Sequence, residues 1–540
     1  MSQTGTPERE ADRRILRSTA VMSTGTALSR ITGFLRLSAM AAALGITTRL
    51  SNAYNVANNT PNIVYELVLG GILTSVFVPV FVDWLERRGR EESWEVARQI
   101  LSMAFVVLSA ITLLTMIFAP AIIDLYTRRL SNGPAAEAER DLATFFLRWF
   151  MPQIVFYGLG AVASGLLNAH RRFTAPMFAP ILNNLIVIGT MVLYVALPTQ
   201  ASGAPTGLQR YVLAIGTTLG VIAMTLALLP SLRRTGFRFA WRWNWRSEAV
   251  RRIARLALWV FVYVLVNQLG LIVIIVLATG ATAYTVYNFA FIFFQLPHAI
   301  FAVSVMTALL PALSARWANH ETGEFRSLLA RGIRLTALAV VPSALGYIAL
   351  AGPIARLLLA HGQATPAGAE AVADVLRFFA IGLFSFSAFQ LLLRAFYAMQ
   401  DSRTPALVNI ASVTLNTVAN LLLFPVLGTR GLALGYAAAY TFGAILMVLL
   451  MRRRLGGLEG RSVVGGLGKV ALAGVVTALA AYGMAVLLAH AIGTSTLPEQ
   501  TLQVLGSIVI GLLVFVAMAL LLRIEDLRQV VSMTVGRFRR

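Results

Sequence analysis

Asn52-Ala53-Tyr54-Asn55-Val56-Ala57-Asn58-Asn59-Thr60-Pro61-Asn62-Ile63-Val64-Tyr65-Glu66 lies within a region, Thr19 to Pro79, that is mostly apolar enough to cross a bilayer. At about 100° per residue, Asn55, Asn59, Asn62 and Glu66 fall within an arc of roughly 60° on one helix face, with Asn52 and Asn58 just beside it. Ala53, Val56, Ala57, Ile63 and Val64 cover the rest of the helix and suit lipid or a neighbouring helix. The preceding apolar segment carries Arg30 and Arg36, one on each side of Gly33. A lone arginine at mid-bilayer costs at least ~2.5–3.5 kcal/mol, so such residues normally face a bundle interior or a wet cavity. Two cations beside an amide stripe predict a polar cavity within the membrane. The bland alternative is amide glue between helices, with Arg30 held in an ion pair by Glu66.

Outward from this stretch, the 540 residues are 58% hydrophobic and 13% charged, where a soluble chain has about 25% charged. Apolar runs of about 18 to 25 residues recur throughout, which predicts an all-α polytopic membrane protein. There is no cysteine, and the five histidines are scattered, so no disulfide and no Cys- or His-based metal site is expected. The net charge of +22 sits in alternate loops, as the positive-inside rule requires, and does not point to nucleic acid. Lys469 is the only lysine.

About fourteen spans are predicted. An even number with Arg-rich alternate loops places both termini in the cytoplasm. Loop 127–142, with Arg128, Arg129 and Arg140, fits that orientation least well. Phe77-Val78-Pro79 ends the second span as Leu309-Leu310-Pro311 ends the eighth, and Pro176 opens the fifth as Pro405 opens the eleventh. The first six spans and the next six therefore read as parallel repeats, whose substrate site is expected between them. The expected segments are a tail (1–18), a first lobe (19–232), a basic linker (233–253), a second lobe (254–455), two further helices (456–523) and a basic tail (524–540).

Nucleotide motifs fail on inspection. Gly465-Gly466-Leu467-Gly468-Lys469 resembles part of a P-loop, but Val470 replaces the required hydroxyl and position 463 is Val. Gly158-Leu159-Gly160 sits inside a span with no strand before it. No paired catalytic carboxylates or nucleophile–His set emerges, and an enzyme is not expected. In the second repeat, Asn288, Gln295 and His298, then Ser387, Gln390 and Arg394, then Asn409, Asn416 and Asn420 form polar faces that read individually as packing.

Ser29-Arg30-Ile31-Thr32-Gly33-Phe34-Leu35-Arg36 resembles the first-span signature of the MurJ (MviN) lipid II flippases, of the MOP exporter superfamily. Pro61-Asn62-Ile63-Val64-Tyr65-Glu66, Gly165-Leu166-Leu167-Asn168, Gln295-Leu296-Pro297 and Arg394-Ala395-Phe396-Tyr397 are similar to family motifs too. The resemblance implies two six-helix lobes in pseudo-twofold repeat around a central cavity, with two C-terminal helices beside a lipid-tail groove. It implies transfer of the undecaprenyl-pyrophosphate-linked peptidoglycan precursor, lipid II, to the outer leaflet of a bacterial cytoplasmic membrane. Arg30 and Arg36 fall on the family's pyrophosphate arginines, and Asn52, Asn55, Asn59, Asn62 and Glu66 complete the implied substrate site. Family charges are missing at Leu37, at Asn52, near Tyr65 and near Ile292. A sodium site described in some members is half kept: Asp401 and Thr417 match in spacing, while Ile274 replaces an acid. No cofactor is implied, and sodium, protons or the membrane potential remain open as energy sources. Expected partners are lipid II, membrane lipids, and cell-wall or division proteins at the Arg-rich loops. The alternatives are an exporter of another polyprenyl-linked glycan or of a cationic drug, and a non-transporting scaffold for cell-wall synthesis.

Overall fold

Each regular element of the computed structural model is a helix among the residues it describes, which are 25, 28–67, 81, 87–170, 172–200, 204–244, 246, 248–280 and 283–527. The N-terminal tail, Phe77-Val78-Pro79 and the end of the basic C-terminal tail lie outside them. Residues 1–268 form one compact unit and 269–540 a second.

In the first unit, α1 (28–44) leads to α2 (Arg49–Tyr65) through a short turn. Thr48 accepts from the Ser51 N–H at 3.1 Å, answering one of the unpaired donors at the start of α2. α3 (Arg90–Ile117) and α4 (Ala119–Tyr126) follow, then α5 (Pro134–Phe150) and α6 (Gln153–Ala169). α7 (Thr174–Ala196) and α8 (Gly207–Leu226) form an antiparallel hairpin, and the short α9 (Leu229–Arg233) closes the unit's last span. α8 begins in a capping box: Gln209 N–H donates to Thr206 Oγ1 at 3.2 Å, and Thr206 N–H donates to Gln209 Oε1 at 2.9 Å. Arg140 donates to Thr127 Oγ1 at 3.1 Å and to the Thr127 and Leu130 carbonyls, at the end of α4. One of the three arginines of loop 127–142 thus caps a helix, a structural role that the positive-inside count cannot distinguish.

α10 (Glu248–Gly280) carries the chain into the second unit. There α11 (Tyr284–Pro297) passes through a π-turn (His298–Ala302) into α12 (Val303–Ala318). The physical reason is Pro297, which has no N–H to give to Phe293 four residues back. The Tyr347 hydroxyl takes over that carbonyl at 2.8 Å. Tyr347 belongs to α13 (Thr322–Leu359), so the kink is fastened to a neighbouring helix. α14 (Pro366–Ile381) and α15 (Leu383–Ala398) are bent by 50° about Gly382, where a Cβ would stand 2.5 Å from Ala437 Cα. α16 (Arg403–Leu427) and α17 (Thr429–Leu455) form a second hairpin, and α18 (Gly460–Ile492) and α19 (Leu497–Leu521) a third.

The hairpins of the two units share one packing device. A Cβ on Gly220 of α8 would lie 2.4 Å from Asn183 Oδ1, and one on Gly435 of α17 would lie 2.3 Å from Asn420 Oδ1. Small residues let helix backbones close over a buried amide, a common solution where lipid supplies no hydrophobic drive.

Among the described residues, eleven helical segments are long and apolar enough to cross a membrane, twelve when the bent α14–α15 pair counts as one span. They match the third to fourteenth expected spans in order. The first two expected spans lie partly outside the described residues. Several helices outrun their apolar stretches, α13 most of all, its first turns carrying Glu324 and Arg326 ahead of the apolar run.

Replacing Tyr347 by Phe removes the only hydroxyl offered by that side chain to the Phe293 carbonyl. A loss of about 1 kcal/mol is expected, in the range of interhelical hydrogen bonds in membranes. Thermal unfolding of the purified protein in detergent checks it; an unchanged melting temperature would contradict the fastening role.

Candidate functional site

Both first-span arginines lie on α1. Arg30 is exposed and Arg36 half-buried. Asn184 of α7 holds this helix in place: its Nδ2 donates to the Ser29 carbonyl at 3.3 Å and to Thr32 Oγ1 at 3.0 Å. The Arg36 Nε is withdrawn from solvent and has no hydrogen-bond partner among the described residues. Arg36 also stands within electrostatic reach of the phenols of Tyr54 and Tyr157. A buried donor on a permanent cation is costly unless something accepts from it. No ion pair joins Arg30 to Glu66 among the described residues.

The amide stripe of α2 divides into two parts. Asn52 and Asn55 are only 0% and 3% exposed, so they cannot face an open cavity. Asn55 Nδ2 donates to the Ser51 carbonyl at 2.8 Å, and Asn52 Nδ2 donates to Glu139 Oε1 of α5 at 2.6 Å. Asn52 is tied to α5 and Asn55 to its own helix, both buried, and their expected place in an open substrate site is corrected accordingly. Further along, Asn59 and Asn62 are half-buried and Glu66 exposed. Asn62 Nδ2 donates to the Asn58 carbonyl at 3.2 Å, while Asn59 Nδ2 has no partner among the described residues. The helical arc is real, but along it the exposure rises from buried Asn52 and Asn55 through half-buried Asn59 and Asn62 to exposed Glu66.

Glu139 is a residue that sequence reasoning missed. It is 2% exposed, with Arg49 and Arg140 in electrostatic range and its Oε2 unpartnered. The signal was its register: Ala136, Ala143, Phe146 and Phe150 bury the same stripe of α5. A carboxylate on an apolar stripe is the exception worth noticing. It places a carboxyl group beside Asn52, the position at which the resemblance implied a lost acid.

Tyr157 was missed as well. It packs against Tyr65 with ring centroids 5.7 Å apart, and both line a cavity of about 280 Å³ inside the first unit. Ser164, Asn168, Pro176 and Thr225 complete much of its wall, and the Asn168 Oδ1 has no partner. Tyr157 therefore belongs to both the wall of this cavity and the surroundings of Arg36.

In the second unit, Asn409, Asn416 and Asn420 are buried on α16, as packing residues. His298 Nδ1 lies 3.0 Å from Ser387 Oγ, which joins two of the expected polar faces. The pairing of Asp401 with Thr417 does not hold. Asp401 precedes α16, whereas Thr417 lies fourteen residues beyond Arg403 on that helix, about 21 Å along its axis. One ion cannot touch both, because the spacing was read without the helix geometry. Asp401 instead accepts from Thr404 N–H at 3.0 Å and Thr404 Oγ1 at 2.7 Å, and pairs with Arg454. Ile274 is buried and apolar, and no cluster of metal-binding side chains occurs among the described residues.

Long apolar helices in two units, with cations and amides on their polar faces, define a multi-pass helical membrane protein whose fold is similar to that of solved transporters of the MOP superfamily. A solved multidrug-resistance MATE transporter of that superfamily, in an inward-facing conformation, superposes with a TM-score of 0.64 at 15% identity, covering 79% of this chain and 95% of that one. The inward closed conformation of the lipid II flippase MurJ superposes with a TM-score of 0.73 at 20% identity, covering 96% and 100%. In sequence, the "Lipid II flippase MurJ" of Burkholderia cenocepacia is 29% identical over 452 residues, covering 82% of this chain and 84% of that protein. The "Probable lipid II flippase MurJ" of Vibrio cholerae serotype O1 is 27% identical over 533 residues, covering 96% and 98%. The profile of the family described as lipid II flippase MurJ matches residues 40–502, and the chain belongs to that family.

Burial pushes the Asp401 carboxyl up, but the Thr404 hydrogen bonds and Arg454 outweigh it and hold the group below its ordinary value. A depressed folded-state pKa gives stability that is present above the unfolded value and is lost as pH falls through the folded one, here below about pH 4. Arg454→Gln should move the onset of acid unfolding to higher pH. Melting curves recorded from pH 6 to pH 3 measure this, and superimposable acid limbs would refute the assignment.

Proposed function

We propose that this chain moves lipid II from the inner to the outer leaflet by alternating access, with the pyrophosphate held by Arg30 and Arg36. The observation that carries this is the Arg36 guanidinium on a membrane helix, its Nε enclosed and without an acceptor among the described residues. A pyrophosphate oxygen supplies such an acceptor, and arginine's planar fork suits phosphate better than a point charge does. Family membership supports the choice of lipid II over another polyprenyl-linked glycan.

In this reading the open part of the α2 stripe, Asn59, Asn62 and Glu66, meets sugar or peptide groups. Asn52 acts one step back: through Glu139 it holds α2 against α5 and sets the direction of the open part. Both termini lie in the cytoplasm, a reading supported by arginines in alternate loops. The same Arg-rich loops are the proposed contact surface for cell-wall synthesis or division proteins.

Reconstituted lipid II translocation tests the proposal. Arg36→Ala should lower the rate at least tenfold, since a charge-assisted hydrogen bond contributes about 1.5–3 kcal/mol. Arg36→Lys should keep charge but lose bidentate contact and fall between the two. Full transport by both Arg30→Ala and Arg36→Ala would overturn the assignment of the pyrophosphate site.

A further inference from the structure

At the arginine-rich end of the second unit, the start of α18 and the end of α19 enclose a bowl of about 340 Å³. Arg331, Arg334, Arg461, Lys469 and Arg523 line it, against Glu525 and Asp526, a formal excess of three positive charges. The positive-inside rule explains why arginines gather at one membrane face. It does not explain why five cations converge on one concavity, where they repel one another unless an anion is present.

The local construction keeps the bowl open. Gly465 and Gly466 form part of the wall. A Cβ on Gly465 would meet nothing within 4 Å, and one on Gly466 would stand 3.0 Å from Arg334 Cδ. The second glycine is thus what lets Arg334 lie across the helix. Arg334 is then fixed by Asp526 at 3.2 Å and by Ser462 Oγ at 3.1 Å. Arg523 follows α19 with φ of +52°, a left-handed position that normally favours glycine. The Ile524 N–H donates to the Ala519 carbonyl at 2.9 Å and closes that turn. A cation thus stands in the bowl wall at a backbone position where glycine costs less.

We infer that this bowl is a binding site for a phosphate group, separate from the transport site. The glycine–lysine run that failed as a P-loop lies inside α18 and offers no nucleotide cradle; its part is to leave room and to supply Lys469. Arginine and lysine side chains around a water-accessible hollow are the chemistry that recognises phosphate esters. The phosphate could arrive on an anionic lipid headgroup or free in solution. A neighbouring groove of about 950 Å³, largely apolar, shares Arg461 with the bowl and includes Val463, Val464 and Leu467 of the same helix. That hydrocarbon-sized space beside the charge favours the lipid source.

Lys469, the chain's only lysine, is an exposed reporter within the site. The full-length protein is placed in phosphatidylcholine nanodiscs, alone, with inorganic phosphate, or with phosphatidylglycerol admixed. Acylation of Lys469 by a soluble amine reagent is then followed by peptide mass spectrometry, with the N-terminal amine as internal reference. Slowed acylation of Lys469 relative to that amine is expected. Protection by phosphatidylglycerol alone identifies the headgroup as the source, and protection by inorganic phosphate identifies the free anion. Arg523→Gly removes a cation at a position where glycine is conformationally welcome, so the fold is kept while half-protection should need about tenfold more ligand. Gly466→Ala should displace Arg334 and act in the same direction. No protection in either arm overturns the inference, as does protection that is equal in Arg523→Gly.

Discussion

A permanent positive charge inside an apolar helix sets the terms for the first unit. Arg36 cannot shed its proton, and leaving it against hydrocarbon costs at least ~2.5–3.5 kcal/mol. The phenols of Tyr54 and Tyr157 are near enough to be felt electrostatically. Asn184 pins the neighbouring turn of α1 through Ser29 and Thr32. Neither arrangement gives the Arg36 Nε an acceptor. The helix is therefore held in place while the Arg36 Nε finds no acceptor among the described residues, the kind of preorganisation that anion binding needs.

The surrounding polar groups follow the rule that buried amides and carbonyls must find partners where water is absent. Asn52 meets Glu139, Tyr54 OH lies 2.7 Å from Thr217 Oγ1, and Gln153 Nε2 donates to Thr218 Oγ1 at 3.2 Å. Each contact joins a different pair of helices within the first unit. In the second unit Tyr347 does the same for the carbonyl that Pro297 leaves open. Polar residues in this membrane protein thus join helices where they are paired, and the ones left open are those proposed to bind.

The helical class and the order of the spans were legible because apolar run length is a strong signal in a bilayer-sized protein. Arg30 and Arg36 were legible for the same reason, as charges out of place. Asn52 and Asn55 were misread because a 60° arc says which residues share a face, not how far along the helix the neighbour covers it. Glu139 was hidden in a polar-looking run, Pro134 to Asp141, whose alternation of buried and exposed positions emerges only once α5 packs. Asp401 and Thr417 show the converse error, where linear spacing concealed about 21 Å of helix rise.

The central claim is that the half-buried side chain at position 36 meets the substrate headgroup. Because the chain contains no cysteine, a thiol placed by Arg36→Cys would be unique. Its rate of modification by a charged, membrane-impermeant methanethiosulfonate reagent, with and without lipid II, is the most direct measurement. The account predicts modification that lipid II slows. A thiol that stays unmodified, or reacts at the same rate with lipid II present, would contradict it.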